Sequence, residues 1–244
     1  MSGEPLVKLV RLAEVSADAR FAAVGEIVLN RPDKRNALTP EMQETVVAHA
    51  AELDADPSIR CVLLRGEGAV FCAGFDLELM KSRETLRELL SGLSRAVRAL
   101  RRATKPVVIA AHGAAVAGGC ALLGGGDYII TDQSAKLGYP VLRMGVSPAV
   151  SAPTLLRAVR ARHARERLLD TVLISGTEAG RIGLVDRVVD IPEDVIPRAQ
   201  IEAAKLAEKP PVAVMETKRW LNEVDGSVGD EEFERALGAS LAVT

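Results

Sequence analysis

Two short stretches of the chain carry residue types and spacings able to do chemistry: Phe71-Cys-Ala-Gly-Phe-Asp-Leu77 and His112-Gly-Ala-Ala-Val-Ala-Gly-Gly-Cys-Ala121. Each sets small residues at a tight turn where a helix is predicted to begin. The first N–H groups of a helix have no intrahelical acceptor, and the helix dipole makes that end mildly positive. Two such groups aimed at one point form an oxyanion hole, which polarises a carbonyl as it becomes negative. The second stretch ends in Ala121 and holds neither Asp nor Glu. The pattern therefore offers charge stabilisation with no base beside it.

Parallel strands are expected to carry these turns. Apolar runs at 26–29, 61–65, 107–111 and 128–131 are short and mostly unbroken, as strands covered on both faces are. Between the first two lies a helix signature: Thr39 as N-cap, Pro40 at the first position, and Met42, Val46, Ala50 and Leu53 on one face. Strand, helix, strand with crossovers of this length predicts an α/β core. Residues 77–102 read as helical, with a charged, mobile stretch at 81–85. Residues 153–170 read as one further helix, whose Arg157, Arg160, Arg162, Arg165 and Arg167 form either a solvated or subunit-facing surface or a phosphate site. A strand follows at 184–189, and Pro210-Pro211 separates two helices of the C-terminal third.

Bulk properties narrow the partners. A net charge of −2 over 244 residues gives no reason to expect nucleic acid or an anionic membrane. With 4 Phe, 2 Tyr and 1 Trp, base-stacking platforms are not expected either. Residues 107–126 approach the ~20 apolar residues of a membrane span. Six of them are glycine, however, which favours a buried strand, a turn and a buried helix. Cys61, Cys72 and Cys120 lack CxxC spacing and, with no signal peptide, read as reduced thiols of a cytoplasmic protein. Cys72 and Cys120 sit inside the key turns, either as nucleophiles or as small buried residues.

Several generic sites are missing. There is no GxGxxG with a following acidic residue, no GxxxxGK[ST] and no GxSxG elbow. His49, His112 and His163 are scattered without metal-ligand spacing, so no metal is expected.

The chain resembles the crotonase (enoyl-CoA hydratase/isomerase) superfamily over about residues 25–190. Four stretches carry the likeness: Leu29-Asn-Arg-Pro-Asp-Lys-Arg-Asn-Ala-Leu-Thr39, Phe71-Cys-Ala-Gly-Phe-Asp-Leu77, Val116-Ala-Gly-Gly-Cys120 and Ile182-Gly-Leu-Val-Asp186. Their order and spacing together are highly specific. The resemblance implies an α/β fold of repeated ββα turns in two roughly perpendicular sheets. It implies an acyl-CoA-binding core at 1–190, followed by a helical trimerisation portion at 191–244. Homotrimers or hexamers of paired trimers would follow, in the setting of fatty acid metabolism. An acyl-CoA thioester is the implied ligand, with no cofactor beyond its CoA. Its oxygen would sit between the N–H groups of Phe75 and Gly118, which stabilise an enolate. Ala37, Ala73, Gly74, Asp76, Leu77 and Glu78 would contact substrate. Lys34 and Arg35 are either CoA contacts or a solvated turn.

Two departures bear on the reaction. Family hydratases use two glutamates to hold water and move protons. Their positions hold Ala121 and Val141 here. Tyr139 and Arg143 flank the second position and are the candidate substitutes. His112, Ser147, Asp127 and the 78–82 region are further candidates, His112 also reading as a core histidine. The expectation is an enzyme, a lyase, isomerase or hydrolase, acting through a thioester enolate by a reaction other than standard hydration. The alternatives are an acyl-CoA-binding protein without catalysis, or a hydratase using other groups. Family members typically continue through another helix beyond the point corresponding to Thr244, so the C-terminus is expected to be short or incomplete.

Overall fold

Unbroken apolar runs need cover on both faces, and the computed structural model, which describes residues 4–243, supplies it. Among these residues the strands are β1 (Val7–Arg11), β2 (Val24–Leu29), β3 (Cys61–Gly66), β4 (Val107–Ala110), β5 (Ala114–Val116), β6 (Tyr128–Asp132), β7 (Lys136–Gly138), β8 (Ile174–Ser175) and β9 (Arg187–Val189). The helices are α1 (Leu12–Val15), α2 (Pro40–Ala55), α3 (Arg83–Arg102), α4 (Gly118–Leu122), α5 (Ala152–Ala158), α6 (Ala161–Leu169), α7 (Gly176–Ile182), α8 (Val195–Ala207), α9 (Pro211–Val224) and α10 (Glu231–Leu241). A larger sheet has the order β1-β2-β3-β4-β6-β9, parallel except for the β1–β2 pair. A smaller sheet has the order β5-β7-β8.

The chain alternates between the two layers. β4 joins the larger sheet, β5 the smaller, and α4 follows; β6 and β7 repeat the division. The bridges Leu38↔Phe75 and Cys72↔Ala115 extend the second layer toward the opening turns. One face of the large sheet packs on α2 and α3 through Val46, Leu53, Leu89, Leu93 and Leu100. On the other face, Val195, Ala199, Ala203 and Ala207 of α8 meet Cys61, Leu63, Val108 and Ile130. Alanine at every fourth position lets that helix lie close to the sheet.

The expected α/β organisation is present, with three local differences. The helix expected over 153–170 is two helices, because Val159 turns extended and its β-branched side chain is buried at 6% exposure. Within 77–102, Leu79–Lys81 forms a 3-10 turn, and Ser82 then caps α3 by accepting from Thr85 N. Strand β1 and the small sheet carry no long apolar run. No helix among the described residues is long and apolar enough to cross a membrane.

Candidate functional site

The two opening turns are hydrogen-bonded to one another. Phe71 N donates to His112 O at 2.8 Å, Cys72 N to Ala114 O at 3.0 Å, and Val116 N to Cys72 O at 3.0 Å. This pairing requires small residues. A Cβ on Gly119 would lie 2.4 Å from Cys72 O, and Gly74, at φ +101°, faces Val116 O. Ala117 adopts φ 53° and ψ −113°, which costs a residue with a Cβ about 1–3 kcal/mol. Its N–H donates to Gly138 O at 2.8 Å, so a neighbouring strand holds the strained turn in place. Immediately after it, Gly118 opens α4. Among the described residues, neither Gly118 N–H nor Phe75 N–H has an acceptor.

Both residues line one cavity of about 170 Å³. Leu77 and Met144, 61% and 49% exposed, stand at its mouth. Leu90 and Leu93 of α3, each 2% exposed, form its buried side with Val146, and the half-buried Val150 adjoins them. Among the described residues its polar side chains are Tyr139, Ser147 and Ser151. Burial pushes the Tyr139 hydroxyl well above its ordinary pKa, and it donates to Cys120 O at 3.4 Å. Ser147 caps the Pro148–Ser151 turn by accepting from Ala149 N. Val141 is part of the wall, while Ala121 is buried on α4 and outside the lining.

The other predicted residues divide between this cavity and its surroundings. Ala73 lines it, and Leu38 N donates to Gly74 O at 2.7 Å beside it. Asp76 is held by Arg31 at 2.7 Å, which keeps its carboxyl below the usual range. The same Arg31 donates to Ala37 O at 3.1 Å within the first motif, so its pair with Asp76 ties that motif to the second. Glu78 is exposed and paired with Lys81. Lys34 and Arg35 occupy an exposed turn outside the lining. Arg143 does not reach the cavity: it is exposed, and its Nε donates to Thr171 Oγ1 at 2.7 Å. His112 is buried, with Nε2 3.0 Å from Gly68 O, and Asp127 pairs with Lys218 of α9 at 2.6 Å. Burial raises the thiols, Cys72 to about 12 and Cys120 to about 11, so both stay protonated at neutral pH.

Sequence reasoning missed two contributions. Asn36 is fully buried, accepts from Arg31 N and donates to Glu67 O and Val70 O, each at 2.9 Å. It clips the first motif to the loop before the second, and no spacing rule marks it. Leu90 and Leu93 had a signal, the apolar face of α3, though nothing assigned that face to a cavity.

A sequence profile of the enoyl-CoA hydratase/isomerase family matches residues 19–236. The chain belongs to the enoyl-CoA hydratase/isomerase family. A family member from Thermus thermophilus, named a putative enoyl-CoA hydratase, is 34% identical over 226 residues, 90% of this chain and 88% of that one. A short-chain-enoyl-CoA hydratase of Clostridium acetobutylicum is 31% identical over 82% of this chain and 77% of its own. Among solved structures, an enoyl-CoA hydratase/isomerase from Xanthobacter autotrophicus Py2 superposes with a TM-score of 0.84 at 29% identity, covering 98% of this chain and 87% of that one. The enoyl-CoA hydratase/isomerase fold thus extends over both the strand-rich portion and the C-terminal helices.

Proposed function

We propose that this chain binds an acyl-CoA thioester in the cavity, its oxygen accepted by Phe75 N–H and Gly118 N–H. The two donors stabilise a thioester enolate, and the reaction is one other than water addition through paired carboxylates. The observation that carries this reading is the composition of the wall. Two unpartnered N–H groups meet a surface whose polar side chains are Tyr139, Ser147 and Ser151, with no carboxylate or imidazole. Decarboxylation, thioester hydrolysis and isomerisation all pass through charge on the thioester oxygen. Lys34 and Arg35 are exposed, and Lys34 acts on the nearby Asp76 carboxylate only through space, which supports contact with CoA phosphates.

The same wall favours a second reading, a binding protein without turnover. Calorimetry with acyl-CoAs, followed by turnover assays on enoyl-, malonyl-type and β-hydroxyacyl-CoAs, separates the two. Binding with turnover of a substrate other than a hydratable enoyl-CoA supports the first; binding with no turnover supports the second. Water addition to crotonyl-CoA at the rate of an efficient hydratase would overturn both. We further propose a cytoplasmic homotrimer, alone or paired. Trp220, Leu221 and Val224 on α9, between 58% and 69% exposed, support a subunit contact. Light scattering tests it.

A further inference from the structure

The cavity's size and lining restrict the acyl group, an inference that rests on the acyl-CoA reading above. An apolar cavity of roughly 150 Å³ holds one benzene ring. At about 170 Å³ this one takes an acyl group of about six carbons, counted from the thioester carbon. The buried walls are braced by the fold. Ser240 of α10, fully buried, accepts from Val150 N at 2.8 Å and donates to Ser147 O at 2.9 Å, bracing one wall from behind. Leu90 and Leu93 belong to the core packing of α3, which holds the opposite wall.

Charge restricts it further. Among the described residues, no Lys, Arg or His lines the cavity. A carboxylate on the acyl chain would lose its water and gain no counter-ion, the arrangement that buried charge tolerates least. Tyr139 is engaged with Cys120 O, leaving only the Ser147 and Ser151 hydroxyls as side-chain donors.

We propose that the site selects a short, uncharged acyl group, up to about six carbons long, with Leu93 as the stop at its inner end. Malonyl-type acyl groups are disfavoured, which removes their decarboxylation from the candidate reactions.

Calorimetry on the full chain tests this with free CoA, acetyl-, butyryl-, hexanoyl-, decanoyl- and palmitoyl-CoA, together with succinyl-CoA. Affinity is expected to rise about three- to fourfold per methylene up to hexanoyl and then level or fall. Succinyl-CoA should bind at least about 100-fold more weakly than hexanoyl-CoA. A rise continuing through palmitoyl, or succinyl bound as well as hexanoyl, would overturn the proposal while leaving acyl-CoA binding intact. If no acyl-CoA binds better than free CoA, the acyl-CoA reading itself fails. Leu93→Ala removes three carbons from the inner end and should move the optimum to about eight carbons. Because that substitution also opens the core, Leu93→Val is the companion variant, with a smaller shift in the same direction. An unmoved optimum in either variant, once shown folded by circular dichroism, overturns Leu93 as the stop.

Discussion

The two walls of the cavity are made by different means. The Phe75–Gly118 wall presents backbone N–H groups, fixed by a hydrogen-bonded ladder between two turns and by glycines that admit no side chain. The wall from Tyr139 to Ser151 presents side chains, and none of those lining the cavity titrates near neutral pH. Backbone chemistry asks only that residues be small, so it persists while the turn persists. Side-chain chemistry disappears with one replacement that still packs. Val141, 8% exposed in the wall and part of the core, packs there with no group able to move a proton.

The largest test strikes the backbone wall at its donor. Gly118 is the first residue of α4, where a proline's missing N–H breaks no intrahelical bond. Gly118→Pro deletes the N–H, and its ring presses on Phe75 Cε1, which a Cβ would approach to 2.9 Å. Turnover of any acyl-CoA substrate should fall about 10²–10³-fold, measured as kcat beside a circular dichroism spectrum. An unchanged rate in a folded variant would take Gly118 out of the chemistry and dissolve the contrast between the walls.

The next test adds a single methyl to the same wall. In Gly119→Ala the new Cβ would meet Cys72 O at 2.4 Å, a backbone atom with no rotamer to escape into. The cost should reach the upper end of overpacking, about 3 kcal/mol, seen as a thermal midpoint about 10 °C lower. A midpoint within 2–3 °C of the parent's, about 1 kcal/mol, would mean that the two turns are not locked as described.

These contrasts explain what the sequence made legible. The parallel strands stood out because both faces are covered, which writes an unbroken apolar run. The two opening turns stood out because turns that tight demand glycine and alanine. Strand β1 did not, since Val7–Arg11 is an edge strand with one residue fully buried and four half-exposed. The small sheet did not, its strands being only two or three residues long. Asn36 acts through contacts 31 and 34 residues away, and the bend at Val159 comes from core packing. Tertiary contact decides such features, and local patterns do not record it.

A third test adds two carboxylates, one in the side-chain wall at 141 and one on α4, outside the lining, at 121. Ala121→Glu with Val141→Glu returns carboxylates to the positions where the family resemblance expects them. Apolar surroundings would raise their pKa toward neutrality, which suits proton transfer. If the backbone wall is intact and only the proton-moving side is missing, water addition to crotonyl-CoA should rise at least about tenfold over the parent chain. No rise in a folded double variant that still binds acyl-CoA would mean that more than the carboxylates separates this wall from a hydratase's.

The smallest effect is expected at Arg143. By position it lies two residues beyond Val141 of the wall and invites a role with the substrate. Its side chain instead lies on the surface, outside the cavity lining, with Nε donating to Thr171 Oγ1. A single exposed hydrogen bond of this kind contributes about 1 kcal/mol or less to stability. Nothing in that geometry brings the guanidinium to an acyl group, and the cavity behind it is uncharged. Arg143→Ala should therefore leave acyl-CoA affinity and turnover within about twofold, since exposed positions away from a site rarely shift free energy by more than ~0.5 kcal/mol. A tenfold loss would bring a cation back to the side-chain wall. That result would also reopen the site to charged acyl groups, because the missing counter-ion would have been found.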